Sequence, residues 1–432
     1  MKKTFAIMIA LVLVLAMVGC TAEQAAQVQQ AAEQVANDPA VQEAVNEAAA
    51  AIEAAAGEAP AADAFKIGVI LVHDENSGYD LAHIEGMQAA QATLGLTDDQ
   101  IIYKYNIEET EMCYDTAVDL AEQGCNIIFS DSYGHQSHMM QAAAEYPDVF
   151  FVACTGDTAA LQANKNVANM FPFTFESRYV SGVVAGMKLK ELMDAGTVTD
   201  PYIGYVGAFP YAEVVSGYTA FFLGIRSIVP EAHMDVQFTN SWYDPIAEAE
   251  AANALISKGC VIIGQHADST GAPSAVQAAQ DAGKVVYSVG YNVSMLAVAP
   301  TAALTSAQNN WGALYTPMID MYMKGETLPT DLAKGYADGG VMISELGASC
   351  APGTAEKVAE VEAALKDGSL NVFDCSTFTV AGEAVTTYLG LDTDGDWVND
   401  TGEAIADGVF EESVLRSAPY FAMDIDGITK LN

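Results

Sequence analysis

From Phe65 onward the chain alternates between runs that are apolar throughout and runs that are apolar only every third or fourth position. "KIGVILVH" is of the first kind and predicts a strand buried on both faces, while "GYDLAHIEGMQAAQATLG" has a helical period and a face of small residues. The pairing repeats as "QIIYKYNI" with "MCYDTAVDLAEQG", then as "NIIFS" with "HQSHMMQAAAEYP", and ends on the strand "DVFFVAC". A second series follows: strand "PYIGYVGAF", helix "AEVVSGYTAFFLGIRSIVP", strand "DVQFTNSW", helix "PIAEAEAANALISKG", strand "VIIGQ", helix "GAPSAVQAAQDAG" and strand "VVYSVG". Fully apolar strands separated by helices predict an α/β protein of parallel sheets with helices on both faces.

One phrase occurs in both series, as "QGCNIIFSDS" at residues 123–132 and "KGCVIIGQHADS" at 258–269. Each is the third strand of its series, and its small polar tail is the loop at that strand's carboxyl end. Ligands of open α/β sheets bind outside those ends, so two lobes facing each other would bring both tails into one cleft. The expected plan is lobe 1 over residues 64–195, completed by about 300–335, lobe 2 over 196–299, completed by about 336–374, and a C-terminal extension over 375–432.

The N-terminal part changes the picture of where such a protein works. Lys2 and Lys3 precede the uncharged run "TFAIMIALVLVLAMVG", the pattern of an export signal over residues 1–20. "MVGC" resembles a bacterial lipobox, with Met17 where Leu is commoner, which would make Cys20 a lipidated N-terminus. A plain secretory signal or a membrane anchor is the other reading. Residues 21–63 are rich in Ala, Gln and Glu with no aromatic residue, and read as an acidic tether that lifts the folded body off the membrane. The expected place is therefore the outer face of a bacterial cytoplasmic membrane, as a monomer.

With 432 residues, 51% of them hydrophobic, the chain is long enough for two buried cores. Its formal charge of -40 argues against nucleic acid or anionic lipid as a partner. Of the seven cysteines, Cys125 and Cys260 lie in strand phrases as buried thiols, and Cys350 with Cys375 is a candidate disulfide for an exported chain.

"NSWYDPIAEAEAANALISKGCVIIGQHADST", with "FESRYVSGVVAGM", "GYVGAFPYAEVVSGYTAFFLGIRSIVPEA" and "LTSAQNNWGALY", resembles the basic membrane protein family of solute-binding lipoproteins. The resemblance covers roughly residues 65–345. It implies a two-lobed type I periplasmic-binding-protein fold, no catalysis, a purine ligand and an ABC permease as partner. It also implies three crossings between lobes, near 175–200, 290–310 and 335–345. Two positions depart from the family. Asn292 in "SVGYNVSM" stands where nucleoside binders carry an aspartate, and Asn309 in "LTSAQNN" stands where they carry a lysine. In the family that charged pair holds the ribose hydroxyls, so two amides imply a free, adenine-like base over a nucleoside.

A purine slot needs flat apolar walls and a few placed polar groups. Tyr79, Tyr133, Phe209, Trp242 and Tyr291 are the candidate walls, with core or rim packing as the alternative for each. Asp74, Asn76, Ser132, Asp268 and Asn292 are the candidate polar contacts, with Glu213 placed after Phe209 in the same way; helix capping is the other reading for them.

Three competing signals remain. "LDTDGDWVNDTGE" sets Asp392, Asp394, Asp396, Asp400 and Glu403 at calcium-loop spacing, but Trp397 occupies the place where such a loop needs glycine. A structural calcium is the sharper reading and a solvated acidic turn the plainer one. His73, His135, His138 and His266 raise a transition-metal receptor as a rival, without the cysteines or the H-E-x-x-H pattern that would support it. A ligand-sensing lipoprotein with a signalling partner is a further alternative. No nucleophile-elbow, P-loop or dinucleotide motif supports an enzyme.

Overall fold

The computed structural model describes residues 65–395 and 398–432. The signal segment, Cys20, the tether and Asp396 lie outside the described residues. Among the described residues no helix is long and apolar enough to cross a membrane.

The first lobe is built from β1 (Ile67–Ile70), α1 (Gly78–Leu94), β2 (Ile101–Lys104), α2 (Glu111–Glu122), β3 (Ile127–Ser130), α3 (Gln136–Glu145), β4 (Phe150–Ala153) and β5 (Val167–Pro172). Its sheet runs β11-β5-β4-β3-β1-β2, every pair parallel, where β11 is Asp331–Lys334. All four residues of β1 and of β3 are buried, because helices cover both faces; that is why these strands read as unbroken apolar runs. The second lobe contains α4 (Thr174–Asp194), β6 (Tyr202–Gly207), α5 (Ala212–Arg226), β7 (His233–Phe238), α6 (Pro245–Lys258), β8 (Ile262–His266), α7 (Gly271–Asp281), β9 (Tyr287–Tyr291) and β10 (Ala303–Asn309). Its sheet order is β12-β10-β9-β8-β6-β7, with β12 (Val341–Ile343) antiparallel and a C-terminal strand, Ile428–Lys430, added parallel to β7. Both sheets reverse strand order between their first and third strands, so the loops after β1 and β3 and after β6 and β8 open at switch points.

Local chemistry accounts for the helix ends that matter to the cleft. In α6 the Asp244 side chain accepts from the Ile246 and Ala247 amides, Pro245 opens the first turn, and Gly259 closes the helix at φ 109°. In α1 the Ser77 side chain accepts from Asp80 N.

The lobe boundaries differ from the sequence expectation. Helix α4 lies inside the assigned lobe 1 range, yet it packs on α5 of lobe 2, where Gly182 and Gly224 let the two backbones touch: a Cβ on Gly182 would stand 2.1 Å from Phe221 O, and one on Gly224 2.2 Å from Tyr179 O. Strand β10 likewise belongs to the second sheet, and only α8 (Gly312–Met323) and β11 return to the first lobe. The chain therefore crosses between lobes at residues 173–174, 310–311 and 335–340. Asn310 N donates to Gly340 O and Phe173 N to Lys334 O, which ties the crossings together. The extension after residue 374 is also no appendage, for Phe378, Phe410, Tyr420 and Phe421 are buried in the lobe 2 core beneath α9 (Thr354–Lys366) and α4. Cys350 and Cys375 are free thiols facing the Leu304 and Phe373 carbonyls, so the candidate disulfide is absent.

Candidate functional site

The carboxyl ends of the two sheets enclose a cavity of about 320 Å³, counting its opening to solvent. From lobe 1, Tyr79 of α1, Asp131, Ser132 and Tyr133 after β3, and Thr155 after β4 line it. From lobe 2 come Glu213 in the first turn of α5, Trp242, His266, Asp268 after β8, and Tyr291 at the end of β9. The lobes touch directly, since Gly78 N donates to Asp268 O at 2.9 Å. The cleft is thus closed.

The tail of each repeated phrase faces this cavity, for the reason the strand ends predict. In lobe 1, Asp131 O accepts from Tyr79 Oη at 2.8 Å and from Thr155 Oγ1 at 2.5 Å, which sets the Tyr79 ring in the wall. Ser132 Oγ donates to Glu109 at 2.5 Å. In lobe 2, Asp268 N donates to Trp242 O at 2.9 Å, and the indole packs edge-on to Phe209 with centroids 5.0 Å apart. Asn292, held at φ 60°, a conformation asparagine tolerates, donates from Nδ2 to Asp268 Oδ1 at 3.0 Å. Phe209 stands behind Trp242, and Asn292 behind Asp268.

Asp74 and Asn76 are not brought to the cavity. Asp74 Oδ1 accepts from both the backbone and the side-chain nitrogens of Asn76, a local turn ahead of α1, and Asn76 is exposed. That turn lowers the Asp74 carboxyl through the same hydrogen bonds. Sequence reasoning missed Asp131 and Thr155, which sit beside Ser132 and in "ACTGDT" at the end of β4, and it missed Arg178. The Arg178 guanidinium lies 3.6 Å from the Tyr291 ring centroid and donates from Nη1 to Gln265 O at 2.6 Å, so it fixes the ring from behind. No local signal marks Arg178, because the strands it meets are distant in sequence.

Burial dominates the electrostatics. It pushes Asp268 well above the carboxylate range, helped by Asp80, Glu248 and Glu213. Glu213 is pushed up to about 7 by burial, with Arg178 pulling the other way. Asp131 and Asp80 are neighbouring buried carboxyls, of which Asp131 rises, through burial and the neighbouring Asp80. For Asp80, burial is outweighed by its hydrogen bonds to His73, Asp131 and Ser77, so it keeps the charge. His266 is held neutral by burial and by Arg178, and its Nε2 lies 3.2 Å from Glu213 Oε1. Proton-bearing carboxyls between aromatic walls can both donate to and accept from the edge of a flat polar ring.

The same burial carries a stability prediction. Glu248, fully buried behind the Asp268 loop, accepts from Ser269 N and is pushed up to about 7 by burial, against 4.5 in an open chain. Between those values the unfolded chain binds fewer protons than the native one, so this contribution is full below pH ~4.5 and is lost as pH rises through ~7. Glu248→Gln is therefore expected to raise the melting temperature at pH 8, by the equivalent of roughly 1–3 kcal/mol, and to leave it nearly unchanged at pH 4.5. Parallel melting curves of wild type and variant at all pH values would refute this.

Asp392, Asp394 and Asp400 offer ligand atoms within 4.8 Å of one another. Glu403 does not join them: its carboxylate accepts from Thr387 Oγ1 and from the Tyr388 and Ile405 amides, which hold a hairpin. The histidines do not converge either. His135 is paired with Ile107 O and His266 with Glu213, and the aspartate group is the one cluster of metal-ligating type among the described residues.

Residues 68–363 match the family model of PnrA-like ABC transporter substrate-binding proteins. A purine-binding protein of Brucella abortus is 31% identical over 349 residues, 78% of this chain and 93% of the relative. A Haloferax volcanii protein named for glucose binding by an ABC transporter is 31% identical over 301 residues, 70% of this chain and 72% of its own. A solute-binding protein structure from Aeropyrum pernix superimposes with a TM-score of 0.61 at 15% identity, over 71% of this chain and 92% of that one, which supports the fold alone. Such a protein is a non-enzymatic, extracytoplasmic carrier that needs a small-molecule ligand and a partner permease and no cofactor for binding. The chain belongs to the PnrA-like family of ABC transporter substrate-binding proteins.

Proposed function

We propose that this protein captures a purine nucleobase, adenine-like in its pattern of donors and acceptors, by closing its two lobes, and presents the closed form to an ABC importer. The reading rests on one observation: a cavity between the lobes whose aromatic walls, Tyr79, Trp242 and Tyr291, surround the carboxyls of Asp131, Asp268 and Glu213, which burial raises above the ordinary carboxylate range. The two amides support a base over a nucleoside. Asn292 is committed to Asp268, and Asn309 accepts from Thr174 Oγ1 at 2.8 Å, so neither supplies the charged ribose contact of nucleoside binders. The purine-binding relative supports the same ligand class. Lipidation of Cys20 would hold the protein at the outer face of the cytoplasmic membrane at roughly 0.8 kcal/mol per buried CH₂.

Calorimetry of the signal-free protein, stripped of bound ligand, against adenine, adenosine, guanosine and hypoxanthine tests the reading. Tight binding of a base and weak binding of its nucleoside are expected, and the reverse order overturns the amide argument. The Haloferax relative favours a second reading, a sugar stacked on Trp242, so D-glucose belongs in the panel. Repeating the titration with EDTA tests one structural calcium at Asp392, Asp394 and Asp400, which would be lost without abolishing ligand binding. Trp242→Ala should weaken binding at least tenfold, about 1.4 kcal/mol; unchanged affinity would remove the ring from the site.

A further inference from the structure

The C-terminal extension is rooted in one lobe and touches the other. Its roots are apolar: Phe410, Tyr420 and Phe421 are buried in the lobe 2 core, and Ile428–Lys430 extends the lobe 2 sheet. Between these roots the turn at 413–419 is held stiffly, because the buried Glu412 carboxylate accepts from the Tyr420 and Phe421 amides at 2.7 and 3.1 Å. The tip of that turn leaves lobe 2 and meets lobe 1 at two places. Ser417 donates to Asp331 Oδ1 from its amide at 2.9 Å and from Oγ at 2.7 Å, and Asp331 begins β11, the edge strand of the first sheet. Arg416 Nη1 lies 3.0 Å from Asp157 Oδ2, with only 13% and 11% of the two side chains exposed.

Asp157 carries that contact inward. Its Oδ2 also accepts from Tyr133 Oη at 3.1 Å and its Oδ1 from Gln136 Nε2 at 3.0 Å, and Tyr133 is a wall of the ligand cavity. A larger cavity adjoins it, sharing Tyr133, Thr155 and Glu213 with it, and Arg416 and Tyr420 of the extension are among the residues that line it. The extension thus flanks the way in.

The geometry points to the extension as a strap across the mouth of the cleft, with Arg416 as a positioning residue that acts on the pocket through Asp157 and Tyr133. Since the roots move with lobe 2, separating the lobes has to break the Arg416–Asp157 pair and the Ser417–Asp331 bonds. The strap therefore adds to the closed state a contribution that the ligand does not supply, and it slows release of whatever solute is held. The identity of that solute rests on the purine reading; the strap does not.

Hydrogen exchange of the full chain tests this without a ligand, because the Gly78 amide is bonded across the cleft to Asp268 and exchanges when the lobes part. Arg416→Met and Asp157→Asn are each expected to speed exchange of the peptide carrying Gly78 about tenfold, with strands β6 and β8 as protected as in wild type. Arg416→Lys should restore most of the protection. With adenine bound, both variants should release it about tenfold faster at an unchanged association rate. Wild-type exchange at Gly78 in both variants overturns the strap, as does loss of protection spread evenly through lobe 2, the sign of a merely structural role. If wild type binds no purine, the ligand reading fails while the Gly78 exchange still decides the strap. Should Arg416→Met fail to fold, Ser417→Ala, which removes one hydroxyl, reports through the same peptide.

Discussion

Asp268→Ala is expected to weaken purine binding about 100-fold while lowering the ligand-free melting temperature only modestly. The carboxyl is buried at the end of β8, and it is the partner of Asn292 Nδ2. On the proposed reading its removal takes a hydrogen-bonding partner from the ligand, and it also takes the acceptor from Asn292 Nδ2, whose Oδ1 has no partner within the protein. A desolvated polar group left unpaired typically costs about 1–3 kcal/mol, and 100-fold corresponds to about 2.7 kcal/mol. In the ligand-free protein the same change leaves Asn292 Nδ2 without its acceptor, so a modest loss of stability accompanies the loss of affinity. Calorimetry paired with thermal melts checks both halves, and an affinity within threefold of wild type would take Asp268 out of the site.

The second large effect is expected at Gly78, which touches no ligand. It opens α1 where the lobes meet, and a Cβ there would lie 3.3 Å from Val293 Cγ2 and 3.4 Å from Asp268 O across the cleft. Valine would extend two methyl groups beyond that point. Gly78 has no unusual backbone requirement, so the open form accepts the substitution and a helix-start position gains slightly from losing glycine. Only closure suffers. Gly78→Val is expected to weaken binding by 30-fold or more, chiefly through faster release, with the ligand-free melting temperature at or above wild type; Gly78→Ala should fall between. Small-angle scattering should find the valine variant more expanded than wild type in the presence of ligand. A variant that binds and compacts like wild type would rule out closure at this contact.

Much of the architecture is legible in the chain because it rests on local periodicity. Continuous apolar runs such as "KIGVILVH" and "VIIGQ" are buried on both faces as β1 and β8, and Asp244-Pro245 begins α6 where capping chemistry places it. The repeated phrase marks the loops after β3 and β8, and Ser132 and Asp268 in those loops line the cavity. The same local logic misled at Asp74 and Asn76, where a carboxylate after a strand serves a turn. The assigned lobe ranges also put residues 174–194 and 303–309 in lobe 1, whereas α4 and β10 belong to lobe 2, since an apolar pattern does not specify which lobe supplies the partner surface.

By itself, then, the sequence determined the two alternating strand and helix series, the family and the two loop tails that face the cleft, because each follows from neighbours a few residues apart. Tertiary structure alone decided the rest. Arg178 behind Tyr291, the Asp80–Asp131 pair and the reach of Arg416 to Asp157 join positions from 51 to 259 residues apart. Burial, which raises Asp131, Glu213 and Asp268, depends on the two lobes covering each other's loops. No pattern within a strand or helix encodes that distance, because it is set by how the two lobes and the extension pack together.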